Sequence, residues 1–177
     1  LYAWNQQADP DPVLKTWEKA FPGIVEPQSD MPAGLEQHLR YPEDLFNIQR
    51  TLIAHYHVTD PRSFYNGTEF WNVPSDPTLP PGDPTVPQPS YYLTMSPDGG
   101  TTAPGFSLTS PLVSLSKRNL TAYLSVDSQP GTADYGKFTL LTLPANAGLS
   151  GPGQVQNELD TNTTISPQLT LLGSGGS

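Results

Sequence analysis

Residues Leu120–Asp127 read LTAYLSVD. Leu120, Ala122, Leu124 and Val126 alternate with Thr121, Tyr123 and Ser125, the period of two that a half-buried antiparallel strand requires. Asp127–Gly136 is rich in turn residues, and Lys137–Leu143 supplies a partner strand. Toward the N-terminus, Phe106–Val113 reads as a further strand. Tyr91–Ser96 pairs with it across the turn sequence Pro97-Asp98-Gly99-Gly100. The C-terminal half therefore predicts an antiparallel sheet.

Ahead of Ser90 the pattern changes. Seven prolines fall between Pro74 and Pro89, with Asp76 and Asp83 among them. This composition reads as a polyproline-like surface excursion. Before it the apolar period is helical. Asp11-Pro12 is an N-cap followed by proline at the first helical position, and Val13, Leu14, Trp17, Ala20 and Phe21 recur along one side until Pro22-Gly23. Pro32–Leu39 reads as a short turn of helix with Leu35 and Leu39 together.

The strongest helix begins at Tyr41-Pro42-Glu43-Asp44, where proline and two acids suit an N-terminus. Leu45, Ile48, Leu52 and Tyr56 make one ridge, widened by Phe46 and Ile53, and this ridge is expected to face the core with Tyr56 buried. Asp60-Pro61 stops the helix and starts a short one carrying Phe64, Tyr65, Phe70 and Trp71. Beyond the strands, Ser150-Gly-Pro-Gly precedes a helix at Gln154–Asp160 with Val155 and Leu159 as its buried pair. Ser166–Leu172 fits either helix or strand.

The expected class is α+β: helices packed on one face of a small antiparallel sheet of about four strands, with a long Pro-rich loop. The expected organisation is one soluble domain or subdomain over 1–177. Residues 1–73 are mainly helical, 74–90 form the Pro-rich excursion, 91–172 are mainly strands with a late short helix, and 173–177 form a flexible tail.

Composition narrows the function. Charged residues are 14% and hydrophobic residues 35% of 177, a balance unlike classical disorder. Eight basic against seventeen acidic residues give a net charge of −9, which repels phosphate backbones and argues against nucleic acid. Cysteine is absent, which removes disulfides, thiolate metal sites and cysteine nucleophiles. No apolar run approaches the ~18 residues needed to span a bilayer.

The histidines are the first chemical candidates. On a helix, His55 and His57 lie about 200° apart and cannot share a metal, whereas on a strand they would share a face. His38 could approach either. No zinc spacing such as H-E-x-x-H is present. Asp9 and Asp11 alternate with prolines, and Asp127 and Asp134 bracket a loop. Calcium takes oxygens from loops of this sort, but Asp before Pro is also a routine helix-start signal. No nucleophile elbow and no phosphate loop occurs. Phe64, Tyr65, Phe70, Trp71, Tyr91 and Tyr92 are the ligand-binding candidates, able to line a groove for sugars or an acyl chain; core packing is the alternative use.

Several literal stretches carry a family resemblance. They are Arg40-Tyr-Pro-Glu-Asp-Leu-Phe-Asn-Ile-Gln-Arg50, Tyr56-His-Val-Thr-Asp-Pro61, Phe64-Tyr65 and Trp71-Asn-Val-Pro-Ser-Asp-Pro77. Trp17-Glu-Lys-Ala-Phe-Pro22, Tyr91-Tyr-Leu-Thr-Met95, Arg118-Asn-Leu-Thr-Ala-Tyr-Leu124 and Tyr135-Gly-Lys-Phe138 add to them. Together they resemble the UPF0182 family over nearly the whole chain. The resemblance implies a large actinobacterial integral membrane protein with an N-terminal block of transmembrane helices. This chain would then be an excised piece of the portion outside the cytoplasm. It implies that Gly173–Ser177 is native continuation, and that exposed apolar surface here meets the rest of the ectodomain. It supplies no catalytic residue.

The expected function is a non-catalytic extracytoplasmic module, for scaffolding or for ligand or partner recognition at the cell envelope. Its partners would be the remainder of its own membrane protein and an envelope glycan, lipid or protein. No cofactor and no metal site is expected. The rival readings are an envelope glycan- or lipid-acting enzyme using acids with His55 or His57, and a calcium-stabilised structural module.

Overall fold

A computed structural model describes residues 2–3, 11–79, 86–96, 103–144 and 146–174. The turn expected at Pro97–Gly100, the stretch 80–85 of the excursion, Asp9 and residues 175–177 lie outside them. The chain divides into two units, Leu1–Arg40 and Tyr41–Ser177.

In the first unit, strands β1 (Tyr2–Ala3) and β2 (Glu26–Pro27) pair in parallel. Helix α1 (Pro12–Ala20) starts as the sequence dictates. Asp11 Oδ1 accepts from Val13 N at 2.7 Å and Leu14 N at 3.3 Å, with proline at the first position. Trp17 and Phe21, one turn apart, stack at 5.2 Å, yet both remain exposed, as does Val13. Helix α2 (Ala33–Glu36) is a single turn.

The second unit holds the sheet. Its strands are β3 (Trp71–Asn72), β4 (Tyr91–Met95), β5 (Gly105–Ser114), β6 (Leu120–Asp127) and β7 (Phe138–Thr142). All neighbours are antiparallel, in the order β3-β5-β6-β7, and β4 also pairs with β5. β4 and β3 thus share one edge of β5 end to end: Tyr91 lies opposite Thr109, and Asn72 opposite Val113. Pro111, which has no amide to donate, sits in the gap between those two partners. The sheet has five strands where about four were expected, and it is open.

Helix α3 (Glu43–Tyr56) lies on one sheet face. Its Phe46 and Ala54 join Leu108 and Leu112 of β5 and Ala122, Leu124 and Val126 of β6 in the core. The β6 residues are the inward set of the LTAYLSVD alternation. Phe46 stacks on Phe138 of β7, and Tyr41 meets the same ring edge-on at 5.5 Å. Each fully buried side chain among these, such as Phe46 or Leu124, contributes roughly 1.5–3 kcal/mol.

The expected core ridge of α3 is not in the core. Leu45, Ile48, Leu52 and Tyr56 are 43%, 60%, 50% and 70% exposed. The buried face is Phe46, Arg50 and Ala54, with Ile53 half-buried, roughly 130° round the helix from that ridge. Burial of Arg50 allows this rotation: its guanidinium reaches Gln88 O and Ser110 Oγ across the core, so a charged position occupies the inner face.

Helix α5 (Pro152–Thr161) borders the opposite sheet face, where Val155 and Gln156 share a hollow with Tyr91, Thr109 and Tyr123. Val155, expected to be buried, is exposed, and Leu159 is half-buried. Gln154 Oε1 accepts from Gly151 N at 2.9 Å at the start of this helix. A Cβ at Gly151 would collide with the Arg118 carbonyl oxygen, so the close approach of backbones requires glycine there. Ser166–Leu172 resolves as helix within α6 (Ser166–Ser174), which takes in the first two residues of the expected tail. Among the described residues no helix is long and apolar enough to cross a membrane.

Candidate functional site

A short sequence signal builds the site. Asp60 Oδ1 accepts from Ser63 N at 2.8 Å, Pro61 occupies the first position, and helix α4 (Pro61–Asn66) ends at Gly67 with φ +65°. Only six residues long, α4 turns Phe64 and Tyr65 beside the last turn of α3. Tyr56 and Phe64 lie 5.6 Å apart, Phe64 meets Phe70 edge-on at 5.3 Å, and Phe70 meets His55 edge-on at 4.8 Å. These rings and Tyr65, which is 89% exposed, line a shallow open groove.

The two histidines diverge, as helical geometry demands. His55 Nδ1 lies 3.0 Å from Thr51 O and His57 Nδ1 lies 2.9 Å from Ile53 O. A carbonyl can only accept, so both rings carry their hydrogen on Nδ1 in these contacts. His57 stacks on Trp71 at 3.4 Å, away from the groove, while His55 lines it. Among the described residues no three His, Asp or Glu side chains converge as metal ligands. Asp127 accepts from Gln129 N and Asp134 pairs with Lys137, each serving its own turn.

Three of the six aromatic candidates come together: Phe64, Tyr65 and Phe70. Trp71 is buried in the core. Tyr92 stacks on Phe106 and donates its hydroxyl to Tyr41 O at 2.6 Å, half-buried on the α3 side. Tyr91 faces the hollow beside α5. Trp71 and Phe70 also lie beyond α4 rather than on it. His55 and Tyr56 complete the groove, although the sequence reading gave Tyr56 to the core. The signal available for them was their place one turn before the Asp60-Pro61 stop.

A polar cluster underlies the other end of α3. Ser90 Oγ lies 3.2 Å from Glu43 Oε1 and 3.0 Å from Asn47 Oδ1. Arg50 Nη1 donates to Gln88 O at 3.0 Å and to Ser110 Oγ at 3.2 Å. Burial pulls the Arg50 guanidinium below its ordinary pKa, and the charge of Glu43 opposes that shift. The base of the proline excursion closes over it, with Gln88 N donating to Pro74 O and Asp76 N to Val86 O. Asp76 caps the strap: its bonds from the Thr78 hydroxyl and amide hold its carboxyl below the usual range.

Fold and surface together define an α+β module with one open antiparallel sheet and an aromatic groove at its helical edge. The chain belongs to the UPF0182 family: the model of this uncharacterised protein family matches residues 1–172. A UPF0182 protein of Frankia casuarinae is 48% identical over 176 residues, covering 99% of this chain and 16% of that protein. One from Streptomyces coelicolor is 45% identical, covering 100% of this chain and 17% of its own length. One from Clavibacter michiganensis is 44% identical, covering 99% and 19%. The chain therefore spans less than a fifth of these relatives. No solved structure matches it.

Proposed function

We propose that this chain is a non-catalytic docking module in the extracytoplasmic part of a UPF0182 membrane protein, where it scaffolds the remainder of its own polypeptide. The observation that carries this reading is the exposed ridge Leu45, Ile48, Leu52 and Tyr56, which continues into the Phe64–Tyr65 groove. A contiguous apolar surface of this kind marks an interaction site. More than four-fifths of the length of the relatives lies outside the matched segment and can supply the partner surface. An envelope lipid or glycan is a weaker occupant, because the groove is open and shallow. The enzyme reading draws less support: the groove lining includes no carboxylate, and Asp60 beside it is engaged in capping.

The test is Leu52→Glu, made in the isolated chain and in the full-length protein. The isolated chain is expected to keep its melting temperature within a degree or two, since position 52 is already in water. The full-length protein is expected to lose thermal stability or become protease-sensitive. Equal tolerance in both settings would overturn the docking assignment.

A further inference from the structure

The order β3-β5-β6-β7 leaves β7 (Phe138–Thr142) with a neighbour on one side only. Its pairing with β6 alternates. Asp127 N donates to Lys137 O and Leu143 N donates to Thr121 O, so residues 137, 139, 141 and 143 turn their backbone groups toward β6. Phe138, Leu140 and Thr142 therefore turn theirs outward. Among the described residues no backbone group bonds these outward amides and carbonyls. Proteins blunt such edges with proline, charge or a covering segment. On the other side of the sheet, β3 leads into the proline excursion, β4 leads out of it, and a bridge between Ser75 and Pro87 closes its base. By contrast β7 reads FTLLT, without a charge or a proline, and Leu140 and Leu141 are both exposed.

The α3 ridge stands over the same edge. Seen down the helix, Arg50 and Asn47 turn one way from Phe46 and reach Ser110 of β5 and Ser90 at the start of β4. Gln49 turns the other way by about 60° and accepts from the hydroxyl of Tyr41, whose ring meets Phe138 of β7. Leu45 and Leu52 continue in that sense, about 100° and 120° from Phe46. The ridge thus overhangs the side on which the sheet ends. Phe138 points toward α3, and by alternation so does Leu140. A further strand, roughly 4.8 Å outside β7, would carry its inward side chains between Leu140 and the ridge.

We propose that the docking partner is a β-strand: an extended segment of the polypeptide outside residues 1–177 adds to the β7 edge, its alternate apolar side chains packed beneath Leu45, Ile48 and Leu52. This assignment rests on the docking reading and names the form of the partner. Chain to supply it is ample, since the matched segment covers only 16%, 17% and 19% of the relatives. Main-chain bonds to Phe138, Leu140 and Thr142 give the affinity, and the alternate side chains under the ridge give the specificity. A second copy is the less favourable occupant, because each copy carries a net charge of −9.

The experiment is amide hydrogen exchange, read at single residues by mass spectrometry, in the isolated chain and in the full-length protein. In the isolated chain the Leu140 and Thr142 amides are expected to exchange fast, and the Thr139 and Leu141 amides, turned toward β6, slowly. In the full-length protein the Leu140 and Thr142 amides are expected to slow about tenfold or more. Thr142→Pro removes an outward donor that the isolated chain does not use. That variant is expected to keep the melting temperature of the isolated chain within a few degrees and to speed exchange at Leu140 in the full-length protein. Equally fast exchange at Leu140 and Thr142 in both settings would overturn the added strand. Slowed maleimide labelling of a Leu52→Cys full-length protein, alongside that result, would leave the docking reading standing; fast labelling would remove both. Protection at Leu140 that grows with the concentration of the isolated chain would also overturn the assignment, by making a second copy the occupant.

Discussion

Asp60 shows what a single side chain decides in this molecule. Its carboxylate accepts from the Ser63 amide, and that bond is the main reason its carboxyl is held below the ordinary range. A depressed folded pKa contributes stability that is present above the unfolded value, about 3.9, and lost as pH falls through the folded one. Asn at this position still caps but does not titrate. The stability difference between the native chain and Asp60→Asn is therefore expected to be flat at neutral pH and to change only below about pH 4. Urea unfolding across pH checks this. Asp76 carries the same sign through Thr78, so subtracting the variant isolates Asp60. Caps at Asp11 and Asp60 were legible in the sequence because cap and amide lie within three residues. The burial of Arg50 was not, because its partners lie 38 and 60 residues away.

At the scale of the element, α3 separates what periodicity can and cannot tell. The start at Pro42-Glu43-Asp44 and the stop before Asp60-Pro61 were both legible, and the observed helix is Glu43–Tyr56. The apolar ridge was legible too, but not the face it would occupy. An apolar stripe marks a surface that avoids water; it does not say whether the cover comes from this sheet or from elsewhere. Here the sheet takes Phe46 and Ala54, and the more regular stripe is left outside. Phe46→Ala is accordingly expected to cost about 3–5 kcal/mol in urea denaturation of the isolated chain, as fully buried phenylalanines do. Ile48→Ala, on the regular stripe, is expected to cost less than about 1 kcal/mol. The strands were read more fully. In β6 the apolar set Ala122, Leu124 and Val126 is fully buried as the alternation predicts, although Ser125 of the polar set is buried too. β5 is buried along nearly its whole length, Ser107, Thr109 and Ser110 included, so alternation alone could not set its extent.

For the whole molecule, the unevenness of burial is the main fact. Among the described residues every buried apolar side chain lies at or beyond Tyr41, and α1 buries none of its own. Trp17 and Phe21 stack on each other at the surface. Apolar side chains of α1 and of α3 are thus exposed, in a chain that spans less than a fifth of its relatives. The proposed docking against the rest of the polypeptide would cover both faces. The absence of cysteine from this chain offers a direct measurement. A single Leu52→Cys substitution gives one thiol on the exposed ridge, and its rate of maleimide labelling reports whether that ridge is covered. Fast labelling in the isolated chain, slowed about tenfold or more in the full-length protein, is the result predicted here. The same fast rate in both settings would contradict it.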